Sequence, residues 1–415
     1  MHLIYNFCIF LYGKLIAVFS LFDPKAKDWV RGRGKGNVWN PIPKNKHLYW
    51  FHCASLGEFD QGLPIMKELK SKVEDAYILV TFFSPSGMNH FHKRDHCVDS
   101  AYYLELDSKK NAREFISFFQ PKAAFFVKYE FWANYIFEAK KRGVKLLSVS
   151  AVFRSNQIYF KWYGSFFRKI LNSFDFFYLQ TKESKELLNK IGFTNVFVSG
   201  DSRYDKVFEN YQSMKNKNVQ DLNKMDEVFV DFLEGQKAII IGSSWPVEEE
   251  MAIQFINKNP KRKFILAPHD VSKNHINQIT SNPSLNCIKF TDFDKVKYSN
   301  SNNCLLLDTI GHLSTAYHYG SMAFIGGGFS GKLHNILEPS IFGLPTFFGP
   351  NIKRFPEAEL FLKNKISFKV ENLNDIENTV SLIDENVNEL KIKTQEFVFS
   401  LTGASEKIVT HYLSL

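Results

Sequence analysis

Three consecutive glycines, Gly326 to Gly328, follow a short apolar run in the C-terminal half of the chain. Glycine adopts positive φ without strain and lets backbone N–H groups approach a ligand closely. Asn335 and Glu338 follow, on what we predict to be the first turns of a helix. A strand, a glycine-rich turn and a helix start together direct backbone donors and the helix dipole at an anion, commonly a phosphate. We therefore predict a phosphate site here, with Glu338 accepting hydrogen bonds from sugar hydroxyls.

Other polar residues of this half follow predicted strands. Ser243 and Ser244 precede Pro246 and an acidic run, which is typical of a helix start. Their hydroxyl and N–H groups suit a phosphate, and simple helix capping explains the same pattern. His269 and Asp308 each lie at the carboxyl end of a further strand, and we expect them to line a nucleotide pocket.

Two carboxylates follow strands of the N-terminal half. Glu58 comes directly after the first strand, on the first turn of a helix, where an ionised carboxylate can act as a general base beside a hydroxyl. The alternative is an ordinary N-terminal Glu that interacts with the helix dipole. Glu130 ends another strand and is a second candidate. A structural salt bridge from Glu130 to Lys128 or Arg142 is the alternative interpretation.

Two clusters imitate metal sites. Asp292 and Asp294 resemble the acidic pair of some metal-dependent glycosyltransferases, but they lie in a polar, loop-like run. The histidines of the segment 90–97 occupy what we predict to be the exposed end of a helix. We predict that neither cluster binds a metal.

Composition limits the class of protein and of partner. The 415 residues suggest two domains, and the formal net charge of +9 favours an anionic partner. Lysine and arginine are dispersed rather than arranged in a basic stripe, which makes nucleic acid the least favoured partner. The five cysteines show no paired spacing, so we expect neither a disulfide framework nor a zinc site. A reducing compartment is consistent with this.

Short apolar strands alternate with helical stretches, which predicts α/β domains with parallel sheets. The predicted strands are 49–54, 77–83, 123–127, 145–149, 176–179 and 196–198, then 237–241, 263–267, 304–307, 322–325 and 345–348. We expect an N-terminal anchor (1–24), a first domain (25–208), a linker (209–227) and a second domain (228–415). The last helix is free to return to the first domain. Ligands of such sheets bind at the carboxyl ends of the strands, so two facing halves predict one cleft.

The N-terminal segment 3–22 is mostly apolar and about long enough to span a bilayer, although Asn6 and Lys14 interrupt it. Basic residues at 25, 27, 31, 33 and 35 follow it and predict that the body of the protein stays cytoplasmic. A signal peptide would carry basic residues before the apolar run. We therefore expect a membrane anchor or an interfacial helix. The basic and aromatic stretch from Arg154 to Arg168 predicts a packed helix, with contact to a lipid surface as the alternative.

Taken together, the motifs resemble the 3-deoxy-D-manno-octulosonic acid (Kdo) transferases of lipid A biosynthesis. The resemblance runs from Trp50 to about Phe361 and keeps the order and spacing of the family's motifs. The matching pieces are 52–58, 130–132, 150–151, 200–205, 242–246, 308–311, 334–335, 338–339 and 348–350. The chain departs from the usual pattern at Lys128, where an acidic residue is common, at Ala133 and at His269–Asp270.

The resemblance implies a GT-B fold, with two Rossmann-like domains facing across a cleft and an N-terminal membrane-anchor helix. It also implies transfer of Kdo from CMP-Kdo to lipid IVA, with inversion at the anomeric carbon and with no metal or other cofactor. The family's catalytic base falls on Glu58. The acceptor-side candidates are Ser55, Gly57, Glu130 and Arg154. The donor-binding candidates are Ser243, Ser244, His269, Asp308, Gly326, Gly327, Gly328, Lys332, Asn335 and Glu338.

CMP-Kdo, lipid IVA and inner-membrane lipids are thus the expected partners, with the catalytic domains on the cytoplasmic side of a bacterial inner membrane. Nucleic acid is not expected, and the sequence indicates no protein partner. Two other classes stay open. One is another GT-B enzyme, such as a hexosamine transferase or a UDP-sugar epimerase. The other is a non-catalytic, membrane-bound nucleotide-binding protein.

Overall fold

The structure, a computed structural model, describes residues 1–34, 38–215, 224–294 and 302–415. It divides into two compact units. Unit 1 contains Met1–Lys206 and Leu401–Leu415, and unit 2 contains Val207–Ser400. Each unit is built on a seven-stranded sheet, so the predicted α/β class with two Rossmann-like domains is confirmed. The linker prediction falls partly on 216–223, outside the described residues, and the domain boundaries stay a prediction.

Unit 1 has parallel strands in the order β3-β2-β1-β4-β5-β6-β7. The strands are β1 (His47–Cys53), β2 (Ala76–Phe82), β3 (Ser100–Tyr103), β4 (Ala123–Val127), β5 (Lys145–Ala151), β6 (Phe176–Leu179) and β7 (Val196–Val198). The helices are α1 (His2–Phe19), α2 (Pro24–Gly34), α3 (Leu56–Lys72), α4 (Pro85–His90), α5 (Lys109–Phe119), α6 (Ala133–Lys141), α7 (Ser165–Leu171) and α8 (Lys182–Lys190). Helix α9 (Ser202–Lys215) leads from unit 1 into unit 2.

Unit 2 repeats the architecture with the strand order β10-β11-β9-β8-β12-β13-β14, again parallel. The strands are β8 (Ala238–Ser244), β9 (Lys263–Pro268), β10 (Cys287–Lys289), β11 (Cys304–Leu306), β12 (Gly320–Ile325), β13 (Thr346–Phe348) and β14 (Ser367–Lys369). The helices are α10 (Lys224–Leu233), α11 (Pro246–Lys258), α12 (Lys273–Thr280), α13 (Leu313–Ala316), α14 (Leu337–Ile341), α15 (Pro356–Lys363), α16 (Leu373–Glu385) and α17 (Val387–Ser400). Helix α18 (Ala404–Leu413) belongs to unit 1.

Every predicted strand is present, with ends that differ by no more than three residues. The sequence patterns do not predict β3, β10 and β14, each of which has only three or four residues and lies at a sheet edge. Edge strands of this length are too short to show an alternation of apolar residues.

Strand β1 shows how each sheet is buried on both faces. Successive side chains of a strand point to opposite faces. Accordingly, Trp50 joins a core cluster with Phe126 on one face, whereas Phe51 and Cys53 join a second cluster with Phe125 on the other. The rings of Phe51 and Phe125 stack at 4.4 Å between centroids. The near-continuous apolar run of β1 is thus that of a central strand of a parallel sheet.

Each sheet has one point where the strand order reverses, and ligands of open α/β sheets bind at the carboxyl ends of the strands there. In unit 1 this point lies between β1 and β4, and in unit 2 between β8 and β12. Glu58, Glu130 and the glycines at 326–328 follow three of these strands, and Ser244 is the last residue of the fourth, β8. The fold therefore brings the candidates of each unit to its reversal point.

Helix α18 completes the core of unit 1 through Ile408, Val409 and Tyr412. The Tyr412 ring lies 5.4 Å from that of Phe125. Asp205 of α9 fixes the start of α18, since its carboxylate accepts hydrogen bonds from the N–H groups of residues 403 and 405, at 2.6 and 2.7 Å. Part of the family-like motif at 200–205 therefore has a structural role.

Candidate active site

Glu58 lies at the start of α3, directly beyond the carboxyl end of β1. Ser55 is the N-cap of this helix and Glu58 its third residue, the spacing of a capping box. The Ser55 N–H donates to Glu58 Oε2 at 2.7 Å, and the Ser55 hydroxyl donates to the same oxygen. The predicted position of Glu58 on the first turn of a helix is thus confirmed. The capping contacts use one carboxylate oxygen and leave the other to further partners.

Lys128 provides the partner of that second oxygen. Its Nζ lies 3.6 Å from Glu58 Oε1, and the Glu58 side chain is only 13% exposed. Lys128 directly follows β4 and has φ of +63°, a left-handed conformation that is uncommon for a lysine. Because β1 and β4 are neighbours, this turn carries the ammonium group to Glu58. Lys128 was not among the predicted site residues.

Glu130 lies in the same turn and completes a group of two carboxylates and one ammonium. Burial raises the pKa of Glu130, the charge of Glu58 raises it further, and Lys128 opposes the shift. A buried carboxyl with a raised pKa is a candidate for proton transfer. The salt bridges from Glu130 that were the alternative interpretation do not form. Lys128 pairs with Glu58 instead, and Arg142 pairs with Glu138.

Gly57 and Arg154 follow strands β1 and β5, which end at the same edge of the sheet as β4. A Cβ added to Gly57 would find only the Ser55 hydroxyl, at 3.9 Å, so no packing contact requires glycine there. Arg154 is exposed in the segment after β5, and its N–H donates to the Gln157 side chain. Both residues are therefore open to a ligand at the carboxyl end of the sheet.

A hydrogen-bonded Trp–His pair lies next to the unit 1 site and connects the turn after β4 to β1. Trp132 Nε1 donates to His52 Nε2 at 3.0 Å, and His52 Nδ1 contacts Thr81 Oγ1 at 2.9 Å. His52 is fully buried in β1. Burial, with a smaller effect of Arg33, lowers the pKa of His52 to about 3. The imidazole is thus neutral and fixes the segment from Glu130 to Trp132 against β1.

In unit 2, the glycine turn after β12 is held by a buried carboxylate. Glu248 Oε1 accepts the Gly327 N–H at 2.8 Å, and Glu248 Oε2 accepts the Trp245 N–H at 3.2 Å. The Gly326 N–H donates to the Gly242 carbonyl. The prediction that the glycine amides grip a phosphate therefore needs correction at Gly326 and Gly327, whose N–H groups are already bonded within the protein.

Close packing of backbone on backbone explains why glycine occupies this turn. A Cβ on Gly326 would lie 2.1 Å from the Ser243 carbonyl oxygen, and a Cβ on Gly328 would lie 2.4 Å from the Gly349 nitrogen. Gly327 has φ of +84°, which favours glycine. The turn thus brings β8, β12 and the end of β13 into contact. A short helix follows as predicted, but α14 begins only at Leu337, so Glu338 lies in its first turn whereas Asn335 precedes it.

The two serines at the carboxyl end of β8 differ in their surroundings. Ser244 is buried, and its hydroxyl donates to Glu249 Oε1 at 3.3 Å. Glu249 also pairs with His275 at 3.0 Å. The direct phosphate contact predicted for Ser244 is therefore replaced by a supporting contact. Ser243 is half-buried with φ of +53° and retains a side chain that a ligand can reach.

Trp245 is the centre of the unit 2 site. Its ring stacks on His269 with 4.6 Å between centroids, and its Nε1 donates to His334 Nε2 at 3.0 Å. Lys332 Nζ lies 5.3 Å from the centroid of the same ring, a cation–π contact. Burial lowers the pKa of His334 to about 4, helped by His269, so this imidazole is neutral. The predicted candidates His269 and Lys332 are thus brought together by a tryptophan outside the predicted set.

The remaining donor-side candidates have partners of their own. Asn335 Nδ2 donates to Glu338 Oε1 at 3.0 Å, and Asn335 Oδ1 accepts the Leu337 N–H. Asp308 accepts the Thr291 N–H at 3.1 Å and so holds the turn after β10. Asp308 follows β11, which β9 separates from β8, so it lies further from the reversal point than the other candidates. In the described ranges, no group of three His, Cys, Asp or Glu side chains is placed to hold a metal ion.

Long-range contacts explain which residues sequence reasoning missed. Lys128, Trp245, Glu248 and His334 each act through a partner at least three residues away and usually on another element. Glu248 appears in the sequence only as one of three consecutive acids at a helix start. Its burial was the one signal that separates it from Glu250, and burial becomes visible only in the fold.

Solved structures share this fold. UDP-GlcNAc 2-epimerase from Neisseria meningitidis matches 89% of this chain and 100% of its own, with a TM-score of 0.64 and 14% identity. A UDP-N-acetylglucosamine 2-epimerase from Listeria monocytogenes covers 89% of this chain and 98% of its own, with a TM-score of 0.58 and 13% identity. At these identities the likeness concerns the fold alone. Two Rossmann-like units of this kind form the GT-B fold, and this chain therefore has that fold.

Sequence relatives define the family. The family model described as 3-Deoxy-D-manno-octulosonic-acid transferase (kdotransferase) matches residues 31–206. The 3-deoxy-D-manno-octulosonic acid transferase of Aquifex aeolicus is 28% identical, over 84% of this chain and 89% of its own. That of Rickettsia prowazekii is 26% identical, over 89% and 79%. A bifunctional glycosyltransferase/methyltransferase of Fusobacterium nucleatum is 23% identical over 83% of this chain, which spans about half (54%) of that relative. The chain is therefore similar to Kdo transferases over most of its length, and their family model matches its N-terminal part.

Proposed function

We propose that the protein transfers Kdo from CMP-Kdo to a hydroxyl of lipid IVA, with inversion at the anomeric carbon. In this step the acceptor O–H loses its proton to a base, and the acceptor oxygen forms a bond to the anomeric carbon. The bond from that carbon to the CMP phosphate oxygen breaks, and CMP leaves with the electron pair. The chemistry needs one oriented base and a cationic site for the departing phosphate.

Glu58 is the proposed base, and the geometry of its carboxylate is the observation that carries the proposal. Ser55 fixes one carboxylate oxygen, which orients the group without occupying the other. Oε1 faces Lys128 at the reversal point of the sheet, where an acceptor hydroxyl is expected to bind. Glu130, with its raised pKa, is the proposed group that shares the proton. Gly57 leaves space for the acceptor and Arg154 offers a charge to its phosphates.

The donor is proposed to bind at the Trp245 cluster of unit 2. The ammonium group of Lys332 and the exposed His269 suit a nucleotide phosphate, which Ser243 and Asn335 are placed to contact. Cationic groups held ready where negative charge develops stabilise a departing phosphate. Glu338 is proposed to accept hydrogen bonds from sugar hydroxyls. The proposal requires no metal or other cofactor.

The proposed location is the cytoplasmic face of a bacterial inner membrane. Helix α1 is the one helix in the described part of the chain that is long and apolar enough to cross a bilayer. Two exposed aromatic residues, Trp162 and Tyr163, precede α7, whose Phe166 lies 5.4 Å from Tyr5 of α1. Exposed aromatic side chains near an apolar helix suit a membrane interface.

Replacement of Glu58 tests the base. Glu58→Gln keeps the size and the cap but removes proton acceptance, so we expect transfer to lipid IVA to fall by about 10²–10⁴-fold. Binding of CMP-Kdo, measured by calorimetry, should stay within about twofold of the wild type, because the donor site lies in unit 2. Glu68→Gln is the matched control, since Glu68 lies on the same helix and pairs only with a surface lysine. Near-normal turnover of Glu58→Gln would exclude the role.

Nucleotide protection separates the proposed donor from that of other GT-B enzymes. We expect CMP to inhibit transfer and to protect unit 2 against proteolysis at concentrations where UDP does neither. Protection by UDP alone would instead favour a UDP-sugar reaction. Mass spectrometry of lipid IVA after incubation with CMP-Kdo measures the product directly, and an unmodified lipid together with intact CMP binding would indicate a non-catalytic protein.

A further inference from the structure

A groove of about 600 Å³ runs beside α1 in unit 1, away from Glu58 and its partners. Its walls are Ile9, Phe10 and Ala17 of α1 and Leu106 of the segment before α5. Lys14 and Lys109 line the same groove. The volume lies within the range of small-molecule sites, about 300–1,000 Å³. An apolar channel with two ammonium groups is complementary to a molecule that has an acyl chain and an anionic head group.

Polar contacts hold α1 in place and so keep the groove formed. Tyr5 OH donates to Asp107 Oδ2 at 2.6 Å, and Asn134 Nδ2 donates to Asn6 Oδ1 at 2.9 Å. Further along the helix, Gly13 allows a close approach to Leu106, whose Cδ1 would lie 2.4 Å from an added Cβ. These contacts extend over residues 5–13, about 12 Å of helix. Helix α1 therefore lies along the surface of unit 1 rather than projecting from it.

The charges that face the groove favour an anion. Asp107 also lines it, but its carboxylate accepts hydrogen bonds from Tyr5 and from the N–H groups of residues 134 and 135, and burial raises its pKa. Helix α5 begins at the groove with Ser108 as its cap and no acidic residue in its first turn. The positive end of this helix adds to the charge of Lys14 and Lys109.

The exposed surface of α1 next to the groove indicates which kind of molecule binds there. The exposed side of α1 is mainly apolar and includes Leu3, Phe7, Val18 and Phe19. A helix of this composition rests among lipids at a bilayer surface, so a lipid rather than water adjoins the open side of the groove. We propose that the groove binds one anionic glycerophospholipid of the bilayer, with an acyl chain against Phe10 and Leu106 and its phosphate at Lys14 and Lys109.

Native mass spectrometry of the full chain in a neutral detergent tests this site, with phosphatidylglycerol and phosphatidylcholine as the probes. We expect the wild type to retain one phosphatidylglycerol per chain. The double variant Lys14→Gln/Lys109→Gln should bind it at least fivefold more weakly, no better than phosphatidylcholine. Ala17→Trp fills the groove and should retain neither lipid. The matched controls, Lys110→Gln and Val18→Trp, place the same changes outside the groove and should behave as the wild type.

Two outcomes would overturn the site. One is retention of phosphatidylglycerol by Ala17→Trp or by the double lysine variant at the wild-type level, in chains whose circular dichroism is unchanged. The other is that lipid IVA displaces phosphatidylglycerol one for one from the wild type and does not bind to Ala17→Trp. This result would assign the groove to the acceptor. Because lipid retention and not transfer is measured, the result is independent of the proposed reaction.

Discussion

At the scale of residues, both units contain a hydrogen bond from an indole N–H to a neutral imidazole. Trp132 with His52 in unit 1 and Trp245 with His334 in unit 2 have the same 3.0 Å separation between Nε1 and Nε2. Each pair joins segments distant in sequence and lies beside candidate site residues. A protonated imidazole cannot accept this hydrogen bond, so both pairs depend on the histidine staying neutral.

This dependence predicts a loss of stability in acid. The folded-state pKa of His52 is about 3, below its ordinary value of about 6.5. The unfolded chain therefore binds the proton first, and the contribution present at neutral pH is lost as the pH falls below about 6.5. We expect the free energy of unfolding of the wild type to fall by about 2 kcal/mol more between pH 6.5 and pH 5 than that of His52→Gln.

Urea unfolding at the two pH values measures this difference. His90→Gln, which removes an exposed histidine of α4, is the control and should keep the wild-type pH dependence. Parallel pH profiles for the wild type and His52→Gln would show that His52 does not titrate as its burial requires.

At the scale of elements, the carboxylate of Glu248 joins the start of α11 to the glycine turn after β12. Three residues of the turn are glycine and have no side chain, so the contact from Glu248 adds to the hydrogen bond that the Ser330 hydroxyl donates to the Gly327 carbonyl at 3.2 Å. One carboxylate with two acceptor oxygens therefore positions the segment that leads to Lys332 and Asn335. Glu248 is a positioning residue of the proposed donor site.

Replacement of Glu248 by glutamine tests this tie. In either orientation of the amide, its NH₂ group faces one of the two N–H donors, so one buried donor loses its partner. We expect the free energy of unfolding to fall by about 1–3 kcal/mol and the affinity for CMP to fall several-fold. Glu250→Gln changes an exposed carboxylate of the same helix and should have neither effect. Urea unfolding and calorimetric titration with CMP provide the two readings, and equal results for both variants would refute the role.

At the scale of the whole molecule, α1 is expected to decide where the protein resides. Its outward side chains are apolar, whereas the basic cluster that follows is partly internal. Arg33, one of the basic residues that follow the apolar segment, stacks on Trp29 and donates to the carbonyls of Phe83 and Leu104. That part of the orientation argument needs correction, and Lys35 lies outside the described residues.

Removal of α1 should release the protein from membranes. We expect a chain that begins at Lys25 to remain in the supernatant after centrifugation with vesicles of phosphatidylethanolamine and phosphatidylglycerol, where the full chain sediments. The variant Leu3→Gln/Phe7→Gln/Val18→Gln, which keeps the contacts of Tyr5 and Asn6, should be released in the same way because the insertion is apolar. Complete sedimentation of both would assign membrane binding to another surface.

Hydrophobic runs and the turn residues that separate them predict most of this fold, because central strands of a parallel sheet have long apolar runs. The same signals fail for β3, β10 and β14, whose pairing depends on a neighbouring strand. At the site, the sequence predicts Glu58 and the glycine turn, since local spacing marks a strand end. It does not predict that Lys128, seventy positions later, meets Glu58, or that Glu248 accepts the Gly327 N–H group that was assigned to a ligand. Those contacts depend on which strands are neighbours.

The return of α18 to unit 1 has a consequence for biosynthesis. A ribosome must polymerise all of unit 2 before Ile408, Val409 and Tyr412 emerge from its exit tunnel. Until then, the nascent first lobe exposes the hydrophobic patch that these side chains later cover. We expect the first lobe to become resistant to proteases only when translation is nearly finished. If the ribosome stops earlier, the lobe should remain bound to chaperones.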